Sequence, residues 1–572
     1  MRKSLLLSLV AMTGLAASAV TPTMYDDSYA AGLSPNGQWG ASYIYGQLKV
    51  IDLSTGTEIV ISDGDDYGEY LHGNGNNMSN NGVLVGSASD IAHYLYNGEF
   101  VPLNDQILDL GLSSCNGITP DGSRIVGYYT NPENGNKDLE QIMYVPCYWD
   151  VNADGTVGET HPLPYPTTDF TGRPPQYIFA TCVSNDGKVI AGQIVDYAGR
   201  VAYPIVYTCN SEGTWEYSLP ADKYMNPNHI ELPSLPAEPV YPQIENFMTP
   251  EEKAAYDAAM EIYYNSGYQD DLFPNIEDYI TPEEFAAYQA AMAEYEELSN
   301  AWYEAFIAFS EIFEQVLEES VPFMMNSIAI SPDGHLIAVG CEIPGADFFD
   351  PRTYYTSVID LSTGDLKEYG KTEGCTPIRI TNNCAVVSSR PLSFGGDPVQ
   401  TYIKLPDAET MQPIETYFAS TNPEIATWMN EKLLHQYFTY DFTTDEMIEH
   451  ETLFSGFMLF DQDLKTFFAG VMPTWEGYEE EFPEYFSYTA SGLTSGLKNV
   501  TLAAKEDVKV SAQRGGVLTI TGNADVVTVY DLSGREVFSA KAASTLNTGL
   551  PSGFYLVKTE GAEGAKTTKV TF

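Results

Sequence analysis

Positive charge is what this chain has least of. Its 572 residues carry 27 Lys and Arg against 79 Asp and Glu, a formal net charge of −52. A surface of that sign repels phosphate backbones and anionic headgroups, which sets nucleic acid and acidic membranes aside as partners. Cysteine is scarce too: seven, an odd number, at 115, 147, 182, 209, 341, 375 and 384. So few over this length argue against a disulfide scaffold. Lying in or beside apolar runs, they read as small buried hydrophobes. The other reading pairs Cys375 with Cys384, which are close enough in sequence to bond in an oxidising compartment. Long apolar runs are missing except at the start, where Leu5 to Ala17 follows Arg2-Lys3 and precedes Ala17-Ser18-Ala19. That order of charge, apolar stretch and small residues reads as a secretory signal peptide over residues 1–19, so the mature chain is expected to leave the cytosol. No later stretch reaches the roughly 18–20 apolar residues of a membrane helix. No Cys follows the expected cleavage point to accept a lipid anchor.

Local catalytic motifs are absent as well. There is no Gly-x-Ser-x-Gly elbow, no His-Glu-x-x-His, no phosphate-binding Gly loop and no Cys-x-x-Cys pair, and the seven His are scattered. Catalytic sets assembled from separate strands leave no such trace. One string, Asp150-Val-Asn152-Ala-Asp154-Gly155, has the opening pattern of a calcium loop. Its twelfth position is His161, where a bidentate carboxylate is required. A turn rich in Asp, Asn and Gly is the better reading, and neither metal nor cofactor is expected.

What is present, six times over, is one short unit: Leu33-Ser34-Pro35-Asn36-Gly37, Met78-Ser79-Asn80-Asn81-Gly82, Ile118-Thr119-Pro120-Asp121-Gly122, Val183-Ser184-Asn185-Asp186-Gly187, Ile330-Ser331-Pro332-Asp333-Gly334, and the worn Ile380-Thr381-Asn382-Asn383-Cys384. Each sets a Ser or Thr, a turn pair and usually a Gly between apolar runs, and the following run reads as a strand containing a small residue, as in Lys188 to Gly192. A second element repeats letter for letter, Val50 to Gly56 as Val358 to Gly364. Four strands per unit of about 40–50 residues are the signature of propeller blades. With Phe460 to Gly470 as a degenerate further unit, the count is about seven. The turns resemble the Ser-Pro-Asp-Gly repeats of WD-like and periplasmic bacterial propellers, a resemblance that bears on fold and carries no activity.

The spacing fails twice, at 221–323 and at 420–452. The first gap holds a duplication, Thr249-Pro-Glu-Glu252 to Met260 and Thr281-Pro-Glu-Glu284 to Met292. Thr at N-cap, Pro at N1 and Glu at N3 predict two capped helix starts. From Phe285 to Val316 an aromatic stripe steps strictly by three and four. Between Thr249 and Ser320 stand 18 acids and one base, Lys253. We expect an acidic helical hairpin whose stripe packs on its partner helix and on the propeller; a stripe left partly open for another protein is the alternative.

Strand alternation puts the Asp-Gly turns on one face of the ring. Both insertions and the longer loops, including 342–352, 393–398 and 473–484, fall on the other. Loops on a rigid scaffold carry function, so any ligand is expected there. Phe348, Phe349, Phe394, Trp475 and Tyr478 are the candidate residues for stacking on a sugar or gripping a peptide.

After a Ser/Gly-rich link, residues 491–504, the charge evens out: from Lys505 onward eight bases meet seven acids. Alternating strands with Asp-Leu-Ser-Gly and Pro-Ser-Gly turns predict a small β-sandwich over 505–572. Gly516 to Ile520, Val526 to Arg535, Leu550 to Val557 and Lys566 to Val570 resemble, in order, the C-terminal sorting domain of type IX secretion cargo. Tyr530, Asp531, Gly534, Arg535, Gly553, Tyr555 and Lys569 stand in its motifs. The resemblance implies the type IX machinery as a partner and delivery to the cell exterior or outer surface. The Pro-Asn-Pro that often opens such domains is absent, which leaves the cleavage site undefined.

The sequence thus reads as mainly β: 1–19 a signal peptide, 20–490 a propeller of about seven blades with a helical-hairpin insertion, 491–504 a linker, and 505–572 a β-sandwich. A non-catalytic surface protein that binds glycan or protein through its elaborate face is the first functional reading, and an extracellular hydrolase or lyase acting on polysaccharide or peptide at the propeller mouth is the second. Arg, His and carboxylates converging on the axis would favour the enzyme; small apolar residues there would favour the binder.

Overall fold

Each Ser or Thr of the repeated unit closes its own turn. Ser34 Oγ donates to Asn36 Oδ1 at 2.8 Å and accepts the Trp39 N–H at 2.8 Å, while the Gly37 N–H donates to the Ser34 carbonyl at 2.9 Å. The same bonds recur at Thr119, Ser184, Ser331 and Thr381, each with its Asp or Asn two residues on. A side chain that competes for backbone partners in this way stops one strand and starts the next. The fourth position is left-handed, with Gly37 at φ 70°; Cys384 and Leu464 hold it at 66° and 57° without being glycine.

The computed structural model describes residues 21–44, 46–63, 69–70, 76–109, 111–132, 141–170, 172–196, 201–233, 236, 239–265, 273–319, 325–343, 353–369, 376–391, 399–406, 408–441, 446–453, 455–472, 485–493, 509–513, 517–521, 526–530, 536–551, 554–561 and 564–571. The chain divides into two compact units, Met1–Thr494 and Ser495–Phe572.

In the first unit the repeats become four-stranded antiparallel meanders. Sheet 1 runs Ala30–Leu33, Trp39–Ile44, Gln47–Asp52, Thr57–Asp63, and sheet 2 runs Glu69–Tyr70, Val85–Ala88, Ile91–Tyr96, Glu99–Pro102. Sheet 3 (Ser113–Ile118, Arg124–Thr130, Tyr144–Asp150, His161–Pro162) and sheet 4 (Tyr177–Val183, Val189–Val195, Ala202–Cys209, Trp215–Ser218) are fused by a parallel pairing of Tyr144 with Tyr177. Sheet 5 is Met325–Ile330, Leu336–Ile343, Thr353–Asp360, Asp365–Glu368; sheet 6 is Thr376–Ile380, Val386–Pro391, Val399–Lys404, Gln412–Pro413. The last sheet takes Phe457–Phe460, Thr466–Val471 and Phe486–Ser491 from late in the chain and Thr23–Asp26 from near its start, paired Thr23 with Thr489.

First strands of successive sheets lie side by side from sheet 3 through the last, and the last lies beside sheet 1. Asn77 Nδ2 joins sheet 2 to sheet 1 through the Ala31 carbonyl at 2.9 Å. Meanders ranged in this way with their first strands innermost form a β-propeller. Between sheets 2 and 3, for example, Val85, Tyr94, Leu103, Ile125 and Trp149 share one dry layer with Cys115 and Cys147. Side chains of this size are each worth roughly 1.5–3 kcal/mol when buried, so the layers between sheets carry the stability of the fold.

The small residue of each second strand has a physical cause. In four first strands the register slips at the residue three before the Ser or Thr: Ala31, Asn116, Thr181 and Ile378. The strand bulges there. In sheets 3 and 4 the Ser114 and Phe179 carbonyls press so close that a Cβ on Gly127 or Gly192 would lie 1.9 Å from the oxygen. Nothing but glycine fits.

Among the helices, α1 (Asp105–Asp109) is a single short turn. α2 (Pro250–Asn265) and α3 (Pro282–Glu319) lie between sheets 4 and 5, and both helix starts carry the expected capping box. The Thr249 and Thr281 N–H groups donate to Glu252 and Glu284 Oε2 at 2.8 and 3.0 Å, and each Glu N–H returns a bond to the Thr hydroxyl at 3.3 Å. The aromatic stripe of α3 faces inward. Phe309, Phe313 and Val316 are fully buried, the first two in the core of sheets 3 to 5. Further up the helix its partner is the Pro-rich segment that precedes α2. Trp302 Nε1 donates to the Pro236 carbonyl at 3.0 Å, and Tyr295 and Tyr288 pack edge-on against Tyr241 and Phe247. Between sheet 6 and the last sheet come α4 (Ile414–Thr421), which begins before the second gap, then α5 (Pro423–Lys432) and a hairpin, Leu434–Asp441 with Glu446–Leu453.

The second unit has a three-stranded sheet, Lys509–Gln513, Val517–Thr521 and Thr545–Asn547, and a four-stranded one in the order Glu536–Lys541, Val526–Tyr530, Phe554–Gly561, Gly564–Thr571. Leu518 and Ile520 of the first share a core with Val527, Val529, Val557 and Val570 of the second, as in a sandwich.

Candidate functional site

The five residues expected to touch a ligand, Phe348, Phe349, Phe394, Trp475 and Tyr478, lie outside the described residues. The strand ends that such long connections join are described, and they carry aromatic residues that sequence reasoning missed. Tyr128 lies two residues before the end of the second strand of sheet 3, Tyr144 begins the third, and Tyr177 and Phe179 are the first and third residues of the first strand of sheet 4. All four stand at the long-connection end of their sheets, and all are half-buried. Ring centroids are 5.0 Å apart for Tyr128–Tyr144, 4.8 Å for Tyr128–Phe179 and 5.0 Å for Tyr144–Tyr177. The Tyr144–Tyr177 backbone pairing that fuses the two sheets holds the rings at this spacing. Burial, and then the neighbouring Tyr144 and Asp90, push the Tyr128 hydroxyl up to about 12; burial also raises that of Tyr177. Both are neutral at ordinary pH, and the Tyr128 hydroxyl is already bonded to the buried Ser114.

A second seam has the counterpart of one pair, Tyr144 with Phe179, as an edge-on contact. Tyr144 stands one residue before the Tyr129–Val145 pair of sheet 3, and Tyr485 stands one residue before the equivalent Val471–Phe486 pair of the last sheet. Phe179 precedes Ser184 by the same interval as Tyr29 precedes Ser34. The centroids of Tyr144 and Phe179 are 5.8 Å apart, and those of Tyr485 and Tyr29 are 6.1 Å apart. Tyr354 occupies the same register in sheet 5, one residue before the Cys341–Tyr355 pair.

The opposite end is tightly closed. The Asn80 N–H reaches the Pro120 carbonyl, the Asn185 N–H reaches Pro332 and the Gln462 N–H reaches Pro35, at 2.8, 2.8 and 2.9 Å, so neighbouring turns bind one another. Further in, Arg379 is 3 % exposed, and its Nε donates to the Phe460 carbonyl at 3.1 Å. Beside it Asp461, in the Ser/Thr place of the last turn, accepts the Lys465 N–H at 2.7 Å, and burial pushes its carboxyl up to about 6. Two residues before each Ser or Thr, or before Asp461, the inner strands carry Gly32, Asn77, Gly117, Cys182, Ala329, Arg379 and Leu459. Arg379 is the one charged side chain in that register.

The calcium-like string is a plain hairpin turn. Asp150 Oδ1 accepts from Arg124 Nε and Nη2, both at 2.7 Å, and Asp154 Oδ1 caps the Thr156 N–H at 3.0 Å. Among the described residues no His, Cys, Asp and Glu cluster could hold a metal. Cys384 is a free thiol 3.4 Å from the Tyr369 hydroxyl, and Cys375, its suggested partner, lies outside the described residues. Of the sorting-motif positions, Tyr530 ends its strand opposite Leu556, the Tyr555 hydroxyl donates to the Pro551 carbonyl at 3.2 Å, and Lys569 pairs with Leu556. Asp531, Gly534, Arg535 and Gly553 lie outside the described residues.

No protein-family model matches the chain, and no curated protein matches it. Among solved structures it is similar to the WD40 domain of SCAP from fission yeast, with 10% identity and a TM-score of 0.31 over 96% of this chain and 98% of that one. It is also similar to the β-propeller domain of the Trilobed protease from Pyrococcus furiosus, with 9% identity and a TM-score of 0.26 over 78% and 88% of the two chains. A third is the acylaminoacyl peptidase of Pyrococcus horikoshii, with 11% identity and a TM-score of 0.28 over 82% and 52%. Likenesses this remote carry no activity across, and the sheet order above stands without them.

Proposed function

We propose that this chain is an exported cell-surface propeller of seven blades, closed into a ring by Thr23–Asp26, that binds a glycan or protein without catalysis through its long-connection end. α2 and α3 are an insertion in the crossover between the fourth and fifth blades. The observation that carries the binding reading is the group of half-buried rings, Tyr128, Tyr144, Tyr177 and Phe179, fixed at that end by paired backbone. Rings on a rigid support lose little conformational freedom when they take a ligand. Four of the seven residues in the inner-strand register above, Gly32, Gly117, Cys182 and Ala329, are small, and Arg379 with Asp461 is enclosed away from solvent; both points support a binder over a hydrolase or lyase, which needs accessible acids and bases converging there. Export rests on the residues 1–19 pattern, and passage through the type IX machinery to the cell exterior or outer surface rests on the resemblance of 505–572.

A glycan and peptide array on the secreted chain, with reducing-end and amine release read from the same wells, tests the function. Retention without release is expected. Release of new ends would replace the binding reading with a hydrolase or lyase. Deleting 505–572 should leave the protein inside the outer membrane; undiminished surface display would remove the sorting assignment.

A further inference from the structure

We infer that the long-connection ends of the two matched aromatic seams, Tyr144 with Phe179 and Tyr485 with Tyr29, are subsites for a neutral polysaccharide. This rests on the binding reading above and names its ligand class.

The ring faces come first. A pyranose presents a flat face of C–H groups ringed by hydroxyls, and it stacks on an aromatic ring while its edge hydroxyls seek donors and acceptors. The aromatic residues of both seams are half-buried. At the seam of sheets 3 and 4 the rings of Tyr128 and Tyr177 stand beside Tyr144, and the Tyr128 hydroxyl bonds the buried Ser114.

Charge then selects the polymer. The charged side chain whose field acts on Tyr128 is Asp90, and the chain as a whole carries −52. Uronate or sulfated glycans would meet net repulsion from such a chain, and neutral ones would not. A peptide would need either an open strand edge or compensating cations of its own.

The repetition argues for a polymer over a single sugar. Tyr144 and Tyr485 hold one register, and Phe179 and Tyr29 another, on pairs of sheets well separated in the order. Two weak stacking subsites joined by one chain gain affinity from effective concentration alone.

The test uses the full secreted chain and soluble mannan, galactan, β-1,3-glucan and arabinoxylan, with alginate and polygalacturonate as the anionic controls, read by affinity electrophoresis and calorimetry. At least one neutral polymer should bind and neither anionic one should. Tyr144→Ala with Tyr177→Ala, and separately Tyr485→Ala, should each weaken binding about tenfold, and Tyr177→Phe should weaken it by less than about threefold. Because an alanine here could unfold the seam, nitration of the unaltered protein supplies a second readout. The neutral polymer should protect the peptides bearing Tyr144 and Tyr177 from tetranitromethane. Binding of anionic polymers only, binding indifferent to both seams, unprotected tyrosines, or retention of peptides but no neutral glycan would each overturn the inference while leaving a binding propeller intact. Release of reducing ends would overturn the reading beneath it.

Discussion

Asn185 and Gln462, separated by 277 residues, exchange two side-chain hydrogen bonds: Asn185 Nδ2 donates to Gln462 Oε1 at 3.1 Å, and Gln462 Nε2 donates to Asn185 Oδ1 at 2.6 Å. The turn of sheet 4 is thereby tied to the turn of the last sheet.

The Asn185–Gln462 pair is exposed, so its worth is coupling more than bulk stability. Asn185→Ala and Gln462→Ala are each expected to cost about 0.5–1 kcal/mol, with a double-mutant coupling of similar size in urea unfolding. A coupling near zero would mean that water replaces the pair without loss.

Gly127 and Gly192 separate steric cost from conformational cost. Alanine at either site drives a Cβ to 1.9 Å from a carbonyl oxygen, whereas alanine at Gly213 meets nothing within 4 Å and bears only the strain of φ 83°. Gly192→Ala should destabilise by more than about 2 kcal/mol, and Gly213→Ala by about 1 kcal/mol. Equal shifts in the denaturation midpoint would show that the strand can move away from the bulge.

Asp461 makes stability depend on pH. Burial raises its folded pKa to about 6, against about 3.9 unfolded. Between those values the folded state holds the proton more tightly, so this group's contribution is most favourable below pH 4 and falls as pH rises to about 6, then levels off. The span corresponds to roughly 3 kcal/mol at 1.36 kcal/mol per unit. Asp461→Ser restores the hydroxyl of the other turns and should flatten the wild-type slope between pH 4 and 6. An unchanged slope in paired urea titrations would assign it to other carboxyls, Glu415 foremost, whose pKa burial also raises.

The thiols divide by access. Cys209 and Cys384 are half-buried, while Cys115, Cys147, Cys182 and Cys341 are enclosed, and burial holds the first three of these thiols above their usual range. Iodoacetamide under native conditions should label Cys209 and Cys384 and reach the other four only after unfolding. Native labelling of Cys147 by mass spectrometry would mean that the layer between sheets 2 and 3 opens.

Local features were legible because their physics is local. A hydroxyl at one position, an Asp or Asn two further on and a left-handed residue after it make a turn within five residues, and Ser34 to Gly37 needs no help from the rest of the chain. The worn sixth unit was recognisable although Cys384 takes the glycine conformation at a cost of about 1–2 kcal/mol. The inward stripe of α3 was equally plain, because its period fixes one face; its partner was not. The stripe meets Pro236, Tyr241 and Phe247, from a Pro-rich stretch with no period to read.

By itself the sequence determined the turns, the strand count per unit, the capping boxes of α2 and α3 and the acidity that disfavours anionic partners. Each is set by neighbours a few residues apart or by summed composition. Only the tertiary structure decided that Thr-Met-Tyr-Asp at 23–26 completes the last sheet, that a bulge dictates Gly127 and Gly192, and that Arg379 lies buried beside Asp461. It alone joined Tyr128, Tyr144, Tyr177 and Phe179. Along strands these four look like ordinary alternating core residues; what places them in one seam is the meeting of two sheets, a relation that no short stretch of chain contains.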